Sequence, residues 1–264
     1  MNLFQTLGSA TLVDCDVEEP NARLILQRDL SKAKDVVIPK PKIDPEKCAM
    51  CGDCVSHCRY HALVEMIDTI YLAKDLCHGC GLCTRICPTG AITEEDHVIG
   101  TISEDLSDTN GSRIYQGELE IGQSMASPVI RDLLKYIPKN TEFPIILDSP
   151  PGTACPVVTT LSESDFVILV TEPNPYSLEN LKQSIEVVKL LDKKFGVVLN
   201  KSQDKFDNLI LGYLLEKNIP LLVKIPFRKE IAEVYAEGHL LIEKFADIRD
   251  QFSDLWMKIK EITL

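Results

Sequence analysis

Short, continuous apolar runs recur along most of this chain, separated by longer stretches in which apolar residues return at helical spacing. The runs are Thr11–Asp14, Pro144–Asp148, Phe166–Val170, Gly196–Leu199 and Leu221–Ile225. Unbroken rather than alternating, they predict strands of a parallel sheet covered on both faces. Leu178–Leu191, Phe206–Lys217 and Lys229–Gly238 carry the helical pattern. Strand–helix alternation of this kind predicts an α/β fold with a doubly wound, mostly parallel sheet. Val98–Asp105 and Arg113–Glu120, flanking Asp108–Gly111, read as a hairpin. Near the end, Ile248, Phe252, Leu255, Ile259 and Ile262 share one helical face, while Asp247, Asp250, Asp254 and Glu261 occupy the other. That acidic polar face favours a helix packed on the core over one lying on a membrane.

A different pattern interrupts this alternation. Eight of the ten cysteines form two copies of C-x2-C-x2-C-x3-C: Cys48, Cys51, Cys54 and Cys58, then Cys77, Cys80, Cys83 and Cys87, each 29 residues after its counterpart. Gly52 matches Gly81, Ala62 matches Ala91, and Leu63 matches Ile92. Three thiolates at this spacing let a short loop wrap one face of an iron–sulfur cubane, and the fourth serves the neighbouring cluster in two-cluster ferredoxins. The expected [4Fe–4S] ligand sets are therefore Cys48, Cys51, Cys54 and Cys87, and Cys58, Cys77, Cys80 and Cys83. A zinc site would use four ligands and leave the rest idle. A disulfide framework needs a secretory context, and the first residues carry no signal-peptide pattern. Cys87 precedes Pro88, as in bacterial ferredoxins, whereas Cys58 precedes Arg59.

Length and charge narrow the picture. With 264 residues, 45% apolar, the chain can build one substantial core plus a small inserted module. The expected division is residues 1–40 and 98–264 for the α/β domain and 41–97 for the ferredoxin-like insertion. No apolar run reaches the length of a membrane span. A formal charge of −12 and a pI near 4.9 disfavour nucleic acid and anionic lipid as partners. Iron–sulfur chemistry implies a reducing cytoplasm.

Several segments outside the module carry a resemblance. Leu12–Asn21 is similar to the switch I segment of MinD/ParA-type ATPases, and Ile145–Thr153, with its Asp148-Ser149-Pro150-Pro151-Gly152 turn, to their Walker B strand and switch II. Val170–Pro173, Leu199–Lys201 and Lys224–Phe227 follow in the family's order. The whole chain resembles the subgroup of MinD/ParA/Mrp-type P-loop ATPases with an inserted module for two [4Fe–4S] clusters. The resemblance implies bound ATP and magnesium, with Asp148 holding the hydrated metal, Asp14 supporting it and Asp16 positioning the attacking water. It also implies that Asn200 reads the adenine edge and that Pro226 and Phe227 border the base. A strand-end carboxylate before such a turn suits magnesium; the plainer alternative is that these aspartates cap the following helices.

One piece of that family's machinery has no counterpart here. No G-x-x-x-x-G-K-[ST] sequence occurs, so no backbone nest or lysine is available for phosphates. Asn2–Gly8 resembles the end of the helix that follows that loop, with Gly8 as its cap. The expectation is a chain that begins mid-helix, about twenty residues of a βαβ unit short. An empty or improvised place should then lie beside Ile145–Leu147, covered by a partner, a shifted N-terminal segment or a collapsed sheet. ATP and magnesium are expected only where a phosphate loop is present.

The remaining candidates are weaker. Cys155, just beyond the Walker B-like segment, reads as a small buried thiol at a helix start, and Cys15 as structural. Of the five histidines, His57, His61 and His78 lie near the cysteine motifs and His97 and His239 elsewhere; none shows metal spacing. The leading expectation is an ATP-binding iron–sulfur protein that couples a nucleotide switch to electron transfer or cluster delivery. Its partners would be a second copy or a related ATPase, and a redox or cluster-acceptor protein. The alternative is a non-hydrolysing electron-transfer or adaptor subunit with a degenerate ATPase core. A partitioning-type scaffold would have no use for the clusters.

Overall fold

A computed structural model describes residues 1–105, 111–139 and 141–263. Its strands are β1 (Thr11–Asp14), β2 (Leu30–Ile43), β3 (Leu63–Glu65), β4 (Ile70–Leu72), β5 (Ile92–Asp105), β6 (Arg113–Leu119), β7 (Ile145–Asp148), β8 (Phe166–Thr171), β9 (Lys194–Ser202) and β10 (Leu221–Pro226). All five predicted runs are strands. The predicted helices appear as Pro175–Leu190, Asp204–Glu216 and Lys229–Ala236. Between β5 and β6, which pair antiparallel as the hairpin predicted, residues 108–110 of the expected turn lie outside the described residues.

The fold is a mostly parallel α/β architecture with sheets ordered β2-β5-β6-β1-β7 and β10-β9-β8, and β3 and β4 pair antiparallel as a small third sheet. In the first, β1 pairs in parallel with β6 on one side and β7 on the other, which places Asp14 opposite Asp148. Because β1 is flanked on both edges and covered on both faces, all four of its residues are buried. The second sheet packs Leu199 and Val197 against Leu181, Ile185 and Leu214 of its helices. Helix Ala246–Thr263 buries Ile248, Leu255 and Ile259, as its apolar stripe predicted.

The expected gap is present on one side only. Thr11–Asp14 fills one edge of Ile145–Asp148, but β7 and β8 do not pair, and the sheet is interrupted between them. There a cavity of about 1160 Å³ runs along Ile146 and Asp148 on one wall and Ile168 and Val170 on the other. All of β7 is only half-buried, and Val170 is 64% exposed, although both sequences are as apolar as β1. Met1, Asn2 and Leu3 also line the cavity, so the N-terminal segment partly covers it. Helix Asn2–Leu7 ends on Gly8 at φ 73°, the cap read from the sequence.

Of the two long antiparallel strands, β5 was foreseen only as Val98–Asp105 and β2 not at all. They pair from Leu30↔Asp105 to Ile43↔Ile92, running from the first sheet out to the cysteine module. The expected boundaries at 41 and 97 fall within these arms. β2 tolerates Pro39 and Pro41 because it is the sheet's edge, where a missing N–H costs no ladder bond on its open side. Gly100, on β5, sits where a Cβ would lie 2.5 Å from the Glu118 carbonyl oxygen and 2.9 Å from Val129 Cγ2. Gly100→Ala should therefore cost roughly 1–3 kcal/mol by overpacking, read as a lower urea midpoint with an unchanged slope.

Candidate iron–sulfur and nucleotide sites

The cysteine repeat folds as two halves related by its 29-residue offset. Each half runs from a short strand through a cysteine loop to a second strand. The first half comprises the end of β2, Cys48–Cys58 and β3, and the second comprises β4, Cys77–Cys87 and the start of β5. Gly52 and Gly81 adopt φ 75° and 70° to turn each loop into a one-turn helix. Any side chain at these positions would be strained.

This arrangement makes two hollows. One is walled by Cys48, Cys51, Cys54 and Cys87, with Ile43, Ile70 and Ile92 behind them. The other is walled by Cys58, Cys77, Cys80 and Cys83, with Pro39, Pro41 and Leu63; Cys54 touches both. The first hollow takes three cysteines from its own loop and Cys87 from the other, and the second takes three from its own loop, with Cys58 and Cys54 from the other. Among the described residues no three His, Cys, Asp or Glu side chains converge on a single ion. Thiols ringing a hollow suit a polynuclear cluster better than one zinc, whose sulfurs would all lie about 2.3 Å from one point.

Local hydrogen bonds already act on the sulfurs. The Ala62 amide donates to Cys58 Sγ at 3.3 Å, and Thr89 Oγ1 lies 3.7 Å from Cys87 Sγ. Burial pushes the Cys87 thiol up, but Thr89 and the amides of Ala91, Thr89 and Ile92 outweigh it and favour the thiolate. Cys54 and Cys83 move the other way, raised first by burial. His78 stacks on Tyr60 at 3.8 Å beside the second hollow, which His57 also lines. Lys40, to which no local pattern draws notice, is only 2% exposed and donates to the Lys74 carbonyl oxygen at 3.0 Å.

A second cluster of polar groups lies where β1 and β7 end. Asp14, 1% exposed, accepts the amides of Asn21 and Ala22 at 3.0 Å on one oxygen and that of Asp16 at 3.2 Å on the other. It thus organises the loop leading into Ala22–Ile25, the capping alternative in part. Burial, joined by the charge of Asp148, pushes its pKa up to about 6. Burial also raises Asp148, helped by Asp16 and opposed by the α-amino group of Met1. Three carboxylates therefore gather at one sheet edge. Asp148 and Asn200 both face the large cavity. Pro226 ends β10 opposite Ser202, and Phe227, 55% exposed, donates its amide to Ser202 O at 3.0 Å. Asn200, Pro226 and Phe227 are thus neighbours at the ends of β9 and β10.

Beside them stands a network that local sequence does not announce. Asp207, 1% exposed, accepts Lys224 Nζ at 2.6 Å, Ser202 Oγ at 2.7 Å and the Gln203 amide at 2.8 Å. The only available signal is an aspartate within the first turn of a predicted helix. Cys15 is fully buried, its pKa pushed up to about 12 by burial. Cys155 corrects an expectation: it starts helix Cys155–Ser162 but is exposed, because the turn Ser149–Ala154 holds that helix end away from the core.

This combination defines a MinD/ParA-type α/β fold with an iron–sulfur module built into one edge. A 4Fe-4S binding domain model matches residues 70–93, and a second model of the same description matches residues 40–63. MinD of Aquifex aeolicus superposes with a TM-score of 0.56 at 13% identity, over 98% of this chain and 89% of that one. Uncharacterized protein MJ0579 of Methanocaldococcus jannaschii is 32% identical over 92% of this chain and 84% of its own length. The chain belongs to the family of that protein. From the same organism, Uncharacterized ATP-binding protein MJ0685 is 29% identical over 57% of this chain and 61% of its own.

The raised carboxyl of Asp14 has a measurable consequence. A folded-state pKa of about 6 against an ordinary 3.8 means the native state holds the proton more tightly than the unfolded chain. Its stabilising effect is full below about pH 4 and is lost as pH rises through 6. Relative to Asp14→Asn, the wild type should lose on the order of 2 kcal/mol between pH 4 and pH 7. Anaerobic urea unfolding at the two pH values checks this.

Proposed function

We propose that this protein is a two-cluster electron-transfer protein whose MinD-like scaffold links the redox module to a nucleotide switch. The observation that carries the proposal is the pair of thiol-lined hollows, each of which draws cysteines from both repeats. Cys48, Cys51, Cys54 and Cys87 would hold one [4Fe–4S] cluster and Cys58, Cys77, Cys80 and Cys83 the other. The clusters would supply reversible one-electron chemistry. The chain's own part is to shield them with Ile43, Ile70, Ile92 and Leu63, and to donate N–H bonds to sulfur. Ligand sets drawn from both repeats tie each cluster to the packing of the whole module. That favours retained clusters and electron transfer over cluster delivery.

For the switch, Asp148 would hold hydrated magnesium, Asp14 would support it by fixing the Asp16–Ala22 loop, Asp16 would position water, and Asn200, Pro226 and Phe227 would flank a purine. The phosphate-binding half of such a site is not encoded in these 264 residues. Nucleotide binding therefore requires a phosphate loop from additional sequence or from a partner, with the unpaired edges of β7 and β8 as its seat. Dimer closure around nucleotide would then change how the redox module meets its acceptor. The module's partner would be a redox protein.

Anaerobically prepared protein should contain about eight irons per chain and show thiolate-to-iron absorption, and Cys51→Ala should remove about half the iron. Zinc in place of iron, without that absorption, would overturn the assignment. During reduction of an acceptor the iron should stay bound; its migration to a cluster-free acceptor would favour delivery. The 264-residue chain by itself should bind magnesium ATP poorly and hydrolyse none, because its carboxylates face no phosphate cradle. ATPase activity abolished by Asp16→Ala would contradict that.

A further inference from the structure

The two halves of the redox module share one carboxylate position but differ in their buried charge. A Cβ placed on Gly52 would lie 3.3 Å from Glu65 Oε2, and one on Gly81 would lie 2.9 Å from Glu94 Oε1. Glu65 and Glu94 are themselves 29 residues apart, so each cysteine loop has an equivalent carboxylate beside it.

Lys40 breaks that symmetry. Its ammonium donates to the Lys74 carbonyl oxygen at 3.0 Å, and the Cys77 amide donates to the same oxygen at 3.2 Å. The charge is thus fixed at the Lys74–Cys77 turn, by a residue of β2 that lies between Pro39 and Pro41 of the second hollow's lining. The residue 29 further on is Thr69, neutral and exposed. Other charges face Lys40: Asp75 and Lys74 on the turn it binds, and Glu95 opposite it on β5. All three are more exposed and screened by water, whereas Lys40 is 2% exposed. A charge interacts far more strongly through protein than through water. Arg59, where the other half has Pro88, follows Cys58 of the same ligand set and is exposed. Ser124 Oγ lies 3.4 Å from the Asp75 carbonyl oxygen, so this half also touches the α/β domain.

We infer that buried Lys40 makes the two clusters electrically unequal, raising the reduction potential of the one held by Cys58, Cys77, Cys80 and Cys83. Adding an electron makes a cluster more negative, and a fixed cation nearby stabilises that state. An electron arriving at the Cys48, Cys51, Cys54 and Cys87 cluster then runs downhill to the cluster beside the α/β domain and rests there. Each cluster takes up one electron and no bond is made or broken. Lys40 acts through the field and the Lys74–Cys77 turn, as a positioning and tuning residue.

The inference rests on the ligand assignment above, and one experiment separates the two. Dithionite titrations followed by electron paramagnetic resonance should resolve two midpoint potentials in the wild-type protein. Lys40→Met should lower one and leave the other in place; Lys40→Arg should restore it. The wave that Lys40→Met moves should be the one surviving in Cys51→Ala. Thr69→Lys, an exposed cation at the equivalent place, should move neither wave by a comparable amount. Iron content, measured on every variant, reports whether both clusters are present, and fewer than two in the wild type would sink the assignment itself. With both loaded, Lys40→Met shifting both waves equally, or neither, would overturn the role of Lys40 alone. If Lys40→Met fails to load, Lys40→Gln keeps a donor for Lys74 and removes the same charge. A single lowered wave in that variant supports the inference, and an equal shift of both waves, or of neither, overturns it.

Discussion

The antiparallel pairing of Leu30–Ile43 with Ile92–Asp105 is the constraint on which the rest of the molecule hangs. At one end β5 bonds to β6 and enters the sheet that contains β1 and β7. At the other, Ile43 and Ile92 close the wall of the first cysteine hollow. One paired ladder, with register shifts between Lys32 and Lys34 and between Val36 and Val37, therefore joins the redox module to the sheet of the carboxylate edge. A module hung on two paired strands moves with its sheet, because bending the ladder would break backbone hydrogen bonds. The Lys42–Glu95 salt bridge across it is exposed and adds little, Lys34 reaches off it to Asp132 of helix Ala126–Tyr136, and Arg28 to the buried Asp105 closes its inner end.

The interrupted sheet poses the opposite problem. β7 and β8 present unpaired edges across a large apolar cavity, an arrangement that ordinarily invites another strand. The helix Asn2–Leu7 and the C-terminal helix wall it with Leu3, Leu255 and Ile259, which lowers the cost but leaves the β7 backbone without a second neighbour. Asp148 stands at the mouth of this cavity, so whatever occupies it bears directly on the carboxylate cluster.

Much of the site was legible in local spacing. Thiols at i, i+3 and i+6 can wrap a cluster because the loop between them is too short to do otherwise, and the glycines at 52 and 81 sit where a left-handed turn is required. The five apolar runs were legible for a similar reason, since a strand buried on both faces admits little else. The full length of β2 was not: its run of lysines and prolines reads as loop, and only its place at the sheet edge lets it pair. Cys155 was misread because burial at a helix start depends on how the preceding turn is held, and no residue of Ser149–Ala154 reports that.

By itself, then, the sequence determined the ligand chemistry, the strand–helix alternation and the acidic residues that end β1 and β7. Those features depend on residues within a few positions of each other. Tertiary structure brought the sets that the spacing implied into two adjoining hollows, and it alone decided that Cys54 lines both. It decided that Asp14 spends its oxygens on the Asp16–Ala22 loop, and that half-buried Lys224 pairs with buried Asp207. It also decided that Lys40, an ordinary lysine in a basic stretch, is buried beside Cys77, while Thr69 at the matching place is left in water. Burial and long-range pairing set the strength of a charge, and neither is a property of its neighbours in the chain.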